Sequence, residues 1–98
     1  MADVRLSTQA IQDLAEIDEY SAEQFGETVA DDYARGFRAV WDLLREFPFL
    51  GSARPELGRG IRSIRHERHR IYYVMTGDVV HVSRIYHHSR DVRRVHLE

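Results

Sequence analysis

Cysteine and lysine are missing from the chain, and each of these absences excludes a kind of chemistry. There is no cysteine among the 98 residues, which excludes disulfides, thiolate nucleophiles and cysteine-bound zinc. There is no lysine either, since all 14 basic residues are arginine, so a lysine Schiff base or general base is excluded. No apolar run approaches the ~18 residues that a membrane span needs, and the first residues lack the pattern of a signal peptide. We therefore expect a cytoplasmic protein with no membrane role and no cofactor.

The composition predicts one globular domain over residues 1–98, with an uneven distribution of charge. Hydrophobic residues are 43% of the chain and charged residues 31%, a balance typical of folded chains. Residues 1–50 hold four arginines against eleven acidic residues, whereas residues 51–98 hold ten arginines against five, with all six histidines. Guanidinium groups suit phosphates or carboxylates held at two points, so the second half favours an anionic partner.

The first half of the chain predicts a short strand and a helical hairpin. Ser7 is a candidate N-cap and Gly26 a candidate C-cap, which bound a first helix over residues 8–25. Apolar residues at steps of three and four from Ala30 to Phe47 predict a second helix, ended by Pro48. The first helix has an apolar stripe of Ile11, Leu14, Ile17, Ala22 and Phe25, and an acidic side, expected to be solvated, of Asp13, Glu16, Asp18, Glu19 and Glu23.

The second half predicts a loop over residues 48–60 and then three strands. The strands are rich in Ile, Val and Tyr and complete an α+β fold with the order β-α-α-β-β-β, in which the helical hairpin packs on a small antiparallel sheet. The predicted strands, including the first one near the N-terminus, are Val4–Leu6, Ile61–His66, Arg68–Met75 and Val79–His87.

A two-residue turn at Gly77 and Asp78 predicts the register of the last two strands. Glycine at the first turn position is typical of a type II′ hairpin, in which Thr76 pairs with Val79. The face toward the helices then carries Ile71, Tyr73, Met75, Val80 and Val82, with Arg84 and Tyr86 at its end. The opposite face carries Arg68, Arg70, Tyr72, Val74, His81, Ser83, Ile85 and His87.

Several short motifs follow one another along nearly the whole chain. They are Leu6-Ser7 with Ala10, Leu14, Ile17 and Tyr20; Gly26 with Ala30 and Tyr33; Pro48-Phe49-Leu50-Gly51; Arg54-Pro55-Glu56-Leu57-Gly58; Gly60-Ile61-Arg62; His69-Arg70-Ile71-Tyr72-Tyr73; Arg84-Ile85-Tyr86-His87; and Arg90-Asp91. In this order and spacing the chain resembles the ParE toxins of bacterial type II toxin–antitoxin systems. The resemblance implies the fold shared with RelE toxins and growth arrest through inhibition of DNA gyrase. It also implies that a ParD-like antitoxin neutralises the toxin by forming a hetero-oligomer with it, and that this antitoxin is a ribbon-helix-helix DNA binder.

Two other functions are compatible with the sequence. RelE toxins cut messenger RNA on the ribosome, and Arg70 resembles an arginine that they use for phosphate, with His87, Glu67 or Tyr72 as possible acid or base. The absence of lysine and the Arg90-Asp91 ending favour the ParE type, so we expect no catalytic residue. The third hypothesis is a module of the same fold that binds an antitoxin without being toxic.

A series of arginines carries the predicted binding surface. Six of them lie within residues 54–70, against only two acidic residues. An antitoxin segment with acidic and apolar side chains would need a groove between the hairpin and the sheet edge. Direct nucleic-acid binding is not expected, because a reader needs stacking or base-edge groups beside the cations. The predicted partner-binding residues are Arg62, Arg68, Arg70, Tyr72, Arg84, His87, Arg90 and Asp91.

The histidines do not predict a metal site. His66 and His69 are three positions apart on a strand or turn, which places them on different faces. His87 and His88 are adjacent and fail for the same reason. We expect His87 to be partly buried and hydrogen-bonded near the end of the sheet.

Overall fold

The computed structural model describes residues 1–97 and places two helices on one face of a five-stranded sheet. The strand order is β1-β5-β4-β3-β2, with β1 parallel to β5 and the other pairs antiparallel. The α+β fold is confirmed, with a mixed sheet and a short strand, β2, inside the predicted loop. The elements are β1 (Asp3–Leu6), α1 (Thr8–Phe25), α2 (Glu27–Glu46), β2 (Ser52–Ala53), β3 (Ile61–His66), β4 (His69–Thr76), β5 (Val79–His87) and a 3-10 helix (Arg94–Leu97).

The helical hairpin has the predicted bounds. The Ser7 hydroxyl accepts the Ala10 N–H at 2.9 Å as an N-cap. Gly26, with φ 87°, is the single residue between the helices. Its positive φ is one that side-chain-bearing residues rarely adopt. Three residues of the predicted apolar stripes are exposed, namely Ile11, Phe25 and Phe47. Ile11 is exposed because the buried stripe of α1 starts at Ala10. Phe25 and Phe47 are exposed because they lie at helix ends.

The main core lies between the helices and the inner face of the sheet. Phe37, Trp41 and Leu44 of α2 pack there against the strands. A second, smaller cluster lies on the outer face, where the loop before β3 and the C-terminal segment cover the tyrosines of β4 and β5. The Tyr86 hydroxyl donates to the His96 carbonyl at 2.7 Å. The members of this outer cluster are Leu57, Tyr72, Tyr86 and Val92.

The register between β4 and β5 is as predicted near the turn and then shifts by one residue. Thr76 pairs with Val79, and the pairing continues to Tyr73 with Val82, but Tyr72 pairs with Arg84. Ser83 is therefore the extra residue of a β-bulge, which reverses the inside–outside alternation that follows it. The predicted faces beyond this point were wrong: Ile85 and His87 lie on the helix side, and Arg84 and Tyr86 on the outer side.

The turn between β3 and β4 is one residue longer than predicted. Glu67, with φ 49°, and Arg68 form it, so β4 begins at His69 and not at Arg68. His66 consequently pairs directly with His69, and both rings lie on the helix side, near Tyr33. The prediction that these two histidines occupy different faces was wrong, because it took the spacing along one strand for a spacing across a tight turn.

Candidate functional site

A groove of about 740 Å³ separates the helical hairpin from the end of β5. β1 ends opposite Val82, so the later residues of β5 have no strand neighbour on that side. The groove opens where this neighbour is missing, and its walls come from α1, the hairpin bend, the β3–β4 turn and β5. A free strand edge beside a helix is suited to a bound peptide segment, either helical or extended.

A buried ion pair closes one wall of the groove. Arg84 Nε donates to Asp13 Oδ2 at 2.9 Å, and Arg84 Nη2 donates to Asp13 Oδ1 at 3.0 Å. Asp13 Oδ2 also accepts the Ile85 backbone N–H at 3.0 Å. The hydrogen bonds that Arg84 donates to Asp13 raise the pKa of the Arg84 guanidinium. The acidic side of α1 was predicted to be solvated, which is wrong for Asp13: the residue is 8% exposed.

Three histidines form a row across β3, β4 and β5 at the floor of the groove. His66 pairs with His69, and His69 pairs with His87. The Tyr33 hydroxyl lies 2.7 Å from His69 Nδ1 and 3.1 Å from the His66 carbonyl, and it accepts the Arg68 N–H at 3.2 Å. Burial lowers the pKa of His69 to about 4, with smaller contributions from nearby positive charge, His87 first. This imidazole is therefore neutral at physiological pH.

The ring of His66 lies directly on the backbone of α2. A Cβ atom at Gly36 would be 2.3 Å from His66 Cε1 and 2.5 Å from His66 Nε2. Tyr33 stacks on the same ring at 4.8 Å, and Phe37 meets it edge-on at 4.7 Å. His66 Nε2 is buried without a hydrogen-bond partner among the residues described. Gly36 is thus the position that lets the β3–β4 turn approach the helix.

The two rims of the groove carry opposite charge, and exposed apolar side chains line its hairpin end. Glu16 and Asp32 line the helical side, and Arg68 and Arg90 line the sheet side. The Arg68 guanidinium lies 4.9 Å from the centre of the Phe25 ring. The exposed apolar side chains that line the groove at the hairpin end are Tyr20, Phe25 and Val29.

The structure brings four of the eight predicted partner-binding residues to this groove. Arg68, Arg84, His87 and Arg90 line it. The other four are placed elsewhere on the molecule, and their binding roles stay predictions. They are Arg62, Arg70, Tyr72 and Asp91.

Those four residues have separate surroundings. Arg62 Nη1 donates to the carbonyls of Gly51 and Phe49, at 2.7 and 3.2 Å, and so holds the loop after α2. Tyr72 is 3% exposed and has little surface to offer a partner. Asp91 is exposed, with a carboxylate oxygen 3.8 Å from Arg93 Nε.

The alternative catalytic set is not assembled in one place. Arg70 lies on the outer face, where its Nη1 donates to the Ser63 hydroxyl at 3.4 Å. His87 lies on the helix side, opposite His69. It is exposed, so its predicted partial burial was wrong, although its Nδ1 lies 2.7 Å from the Ser89 hydroxyl. Glu67 lies in the β3–β4 turn. The sheet therefore separates Arg70 from His87. Tyr72, the third candidate acid or base, shares the outer face with Arg70 but is 3% exposed.

Asp13, Tyr33 and His69 shape the groove and were missed as site residues. A signal for Asp13 was available, because it lies three positions after Ala10 and just before Leu14, inside the buried stripe. No three side chains of residues 1–97 are placed to hold a metal ion. Neither helix in this part of the chain has an apolar stretch of the length that crossing a membrane requires.

Comparison with known proteins identifies the family. Residues 4–92 match the model of the ParE toxin of type II toxin-antitoxin system, parDE. Toxin ParE1 of Caulobacter vibrioides is 33% identical over 93 residues, which cover 95% of this chain and 96% of that protein. This chain belongs to the ParE toxin family.

Two solved structures share the ParE fold described here. One is the chromosomal ParDE toxin–antitoxin system from P. aeruginosa, with a TM-score of 0.76 and 19% identity, covering 89% of this chain and 96% of that one. The other is the RelBE2 toxin–antitoxin complex from Mycobacterium tuberculosis, with a TM-score of 0.56 and 26% identity, covering 88% and 96%. The fold is thus common to both the ParE and the RelE types of toxin.

Proposed function

We propose that this ParE-family chain inhibits DNA gyrase in the cytoplasm and that a cognate antitoxin neutralises it by binding in the groove between the hairpin and β5. Membership of the ParE family over residues 4–92 is the observation that carries the proposal. Relatives of the same fold are parts of toxin–antitoxin systems. We take the antitoxin to be ParD-like, with a ribbon-helix-helix DNA-binding part, and the product to be a hetero-oligomer.

The chemistry of the groove supports a protein segment as its occupant. Apolar side chains of the segment would cover Tyr20, Phe25 and Val29, which are 46–58% exposed. Acidic side chains would face Arg68 and Arg90 on the sheet rim. Burying an apolar patch while matching charges at its edge is the usual anatomy of a specific interface.

Protein binding is favoured over RNA cleavage by the separation of the candidate catalytic groups. Cleavage needs a base, an acid and a phosphate-binding cation around a single phosphodiester. Arg70 and His87 lie on opposite faces of the sheet, and Tyr72, the candidate group on the face of Arg70, is 3% exposed. We therefore do not propose ribonuclease activity.

The first experiment measures antitoxin binding by the groove. The antitoxin encoded beside the toxin gene is titrated by calorimetry against the wild type, Phe25→Ser and Arg68→Glu. We expect each variant to weaken binding by at least about tenfold, through loss of apolar contact and reversal of charge at the rim. Arg38→Glu, which reverses an exposed charge on α2 away from that rim, is the matched control. Unchanged affinity in both groove variants would contradict the proposed docking site.

The second experiment tests the target. Purified toxin is added to gyrase, ATP and relaxed plasmid, and we expect supercoiling to fall and to return when the antitoxin is added. A parallel translation reaction reports any cutting of messenger RNA. Normal supercoiling at a large excess of toxin would contradict the gyrase proposal. Harmless expression in cells together with tight antitoxin binding would instead support the non-toxic module.

A further inference from the structure

The outer face of the sheet, opposite the helices, brings three arginines together. Arg54 reaches it from the loop before β3, Arg65 lies on β3 and Arg70 on β4. Arg65 and Arg70 are direct cross-strand partners, and like charges opposite one another destabilise a sheet. We call these three residues the outer arginine cluster. Such repulsion has no benefit for folding, which points to a ligand that neutralises it.

One buried hydroxyl lies between two members of the cluster. Ser63, which is 2% exposed, accepts from Arg54 Nη1 at 3.2 Å and from Arg70 Nη1 at 3.4 Å. Each guanidinium has five N–H donors, so most donors at this point remain available. Glu56 pairs with Arg54 at 2.8 Å. Among residues 1–97, no carboxylate lies within 4.0 Å of Arg65 or Arg70.

A fourth arginine extends the cluster toward the C-terminal segment. Tyr86 of β5 is the cross-strand partner of Arg70, and the Arg90 guanidinium lies 4.6 Å from the centre of the Tyr86 ring. The pKa of the exposed His88 is lowered, first by slight desolvation and then by the positive charges of Arg65, His87 and Arg70. Arg90, which also lines the groove, thus joins the outer face to the groove rim, and several cations on one face suit a ligand whose negative charges repeat.

The apolar side chains of this face are already covered. Tyr72 and Tyr86 are 3% and 7% exposed, because Leu57 and Val92 pack over them. A protein segment would find no apolar surface to bury here, and an unstacked base would find no open aromatic ring to stack on. What remains available on this face is charge.

We propose that the outer arginine cluster binds the phosphodiester backbone of nucleic acid without reading its sequence. Guanidinium forks match the oxygens of a phosphate, and contacts to the backbone carry no sequence information. The acidic residues of the chain lie mainly in its first half, in the hairpin, so the charge asymmetry of the molecule orients this face toward a polyanion. The expectation of no nucleic-acid binding rested on the need for base-reading groups, and backbone binding has no such need.

Fluorescence anisotropy with a labelled DNA duplex of mixed sequence, about 20 base pairs long and in about 50 mM salt, tests the inference. We expect micromolar affinity, the same within about threefold for a second unrelated sequence and for an RNA duplex. The logarithm of the binding constant should fall with the logarithm of salt concentration with a slope of about −2 to −3, as expected for three phosphate contacts. Inorganic phosphate at matched ionic strength should not displace the DNA, which separates the backbone from free phosphate as the ligand.

Paired variants separate electrostatic binding from a structural role. Arg65→Gln with Arg70→Gln should weaken DNA binding by about tenfold or more and reduce the slope by about 2, whereas the two Arg→Lys changes, which keep the charge, should retain binding within about threefold. Arg38→Gln with Arg45→Gln, an equal loss of two charges on α2, is the control and should bind as the wild type. A circular-dichroism melt of each variant verifies that it is folded.

The inference is independent of the gyrase proposal, because the assay contains no gyrase and no antitoxin. It is overturned if the wild type does not bind DNA at low salt, or if the two Arg→Gln changes leave affinity and slope unchanged. It is also overturned if a poly-glutamate peptide of equal charge displaces the DNA as well as unlabelled duplex does. That last result would assign the cluster to an acidic protein segment.

Discussion

Asp13 on α1 and Arg84 on β5 are joined by two hydrogen bonds of 2.9 and 3.0 Å, although 71 positions separate them in the chain. The same carboxylate accepts the backbone N–H of Ile85, which lies beyond the end of β1 and has no strand there to bond to. One side chain therefore fixes α1 to the sheet, satisfies a buried amide and neutralises an arginine in the wall of the groove.

Removal of the Asp13 carboxylate should destabilise the fold. Asp13→Ala leaves Arg84 and the Ile85 amide without their partner, and we expect a loss of about 3 kcal/mol in the free energy of unfolding. Asp13→Asn keeps an acceptor for the amide and should lose about 1 to 2 kcal/mol. Urea unfolding monitored by Trp41 fluorescence measures both variants.

The matched control for this pair lies on the surface of α2. Asp42 and Arg45 form an ion pair at 2.7 Å, with the Asp42 side chain 77% exposed. Asp42→Ala should change stability by less than about 0.5 kcal/mol, because exposed pairs contribute little. An Asp13→Ala variant as stable as Asp42→Ala would show that the buried pair does not hold α1 in place.

The sequence predicted the sheet correctly only as far as its local signals reached. Gly77 marks the β4–β5 turn, so the pairing of Thr76 with Val79 could be derived. Nothing in the sequence marks Ser83 as a bulge, because this bulge contains neither glycine nor proline, and the faces of the next residues were therefore reversed. The β3–β4 turn was predicted one residue too short for a similar reason, since Glu67 takes a positive φ that is uncommon for its residue type.

The candidate site was predictable in part. The concentration of arginines in the second half was visible in the sequence, but their division between groove and outer face follows from the bulge and the short turn. The histidine row depends on pairings across three strands, which no motif within a single strand reveals. Asp13 was assigned to solvent by its charge, although its position in the apolar stripe of α1 indicated burial.

The packed ring of His66 requires a small residue at position 36. The effect of Gly36→Ala on stability should therefore change sign when the His66 ring is removed. Gly36→Ala should destabilise the fold by about 1 to 2 kcal/mol, because the clash with the packed ring outweighs the gain of about 1 kcal/mol in helix propensity. In a His66→Ala background the ring is gone, and the same substitution should stabilise the fold by up to about 1 kcal/mol. Thermal unfolding of the four proteins of this double-mutant cycle measures the coupling.

The outcome of that cycle separates packing from backbone strain at Gly36. The φ of this glycine is not in the left-handed region, so alanine is compatible with the backbone itself. If Gly36→Ala were equally destabilising in both backgrounds, the close approach of His66 would not be the cause.

Burial of His69 should make stability depend on pH. Its pKa is about 4 in the folded chain, against an ordinary value of 6.5, so the unfolded chain binds the proton more readily between these values. The contribution of the neutral ring is therefore complete above pH 6.5 and is lost as the pH falls toward 4. We expect a loss of about 1 to 2 kcal/mol, less than the full shift implies because the ring is only half-buried and solvent screens it.

A variant without the titrating ring isolates this effect from the carboxylates. His69→Asn retains an acceptor near the Tyr33 hydroxyl but takes up no proton. Urea unfolding at pH 7, 6, 5 and 4.5 should show wild-type stability falling more steeply than that of the variant, by about 1 kcal/mol over this range. His81→Asn, at an exposed position on the outer face, should keep the wild-type slope. Parallel pH curves for the wild type and His69→Asn would contradict the assignment.

The hydroxyl of Ser7 links the start of α1 to the bulge in β5, because it makes two hydrogen bonds of opposite sense. It accepts the Ala10 N–H at 2.9 Å as the helix cap, and it donates to the Ser83 carbonyl at 2.7 Å. Ser7→Ala removes both bonds and should destabilise the fold by about 2 kcal/mol. Ser7→Thr keeps both and should stay within about 0.5 kcal/mol of the wild type.

Ser7→Asp distinguishes the two bonds, since a carboxylate caps a helix as well as serine does but has no proton to donate to the Ser83 carbonyl. If the cap alone mattered, Ser7→Asp would be as stable as the wild type. We expect instead a loss of about 1 kcal/mol, because the carboxylate meets the carbonyl oxygen of the bulge without a donor between them. Urea unfolding gives the ranking, and hydrogen exchange of the β5 amides should show faster opening near Ser83 in Ser7→Asp than in Ser7→Thr.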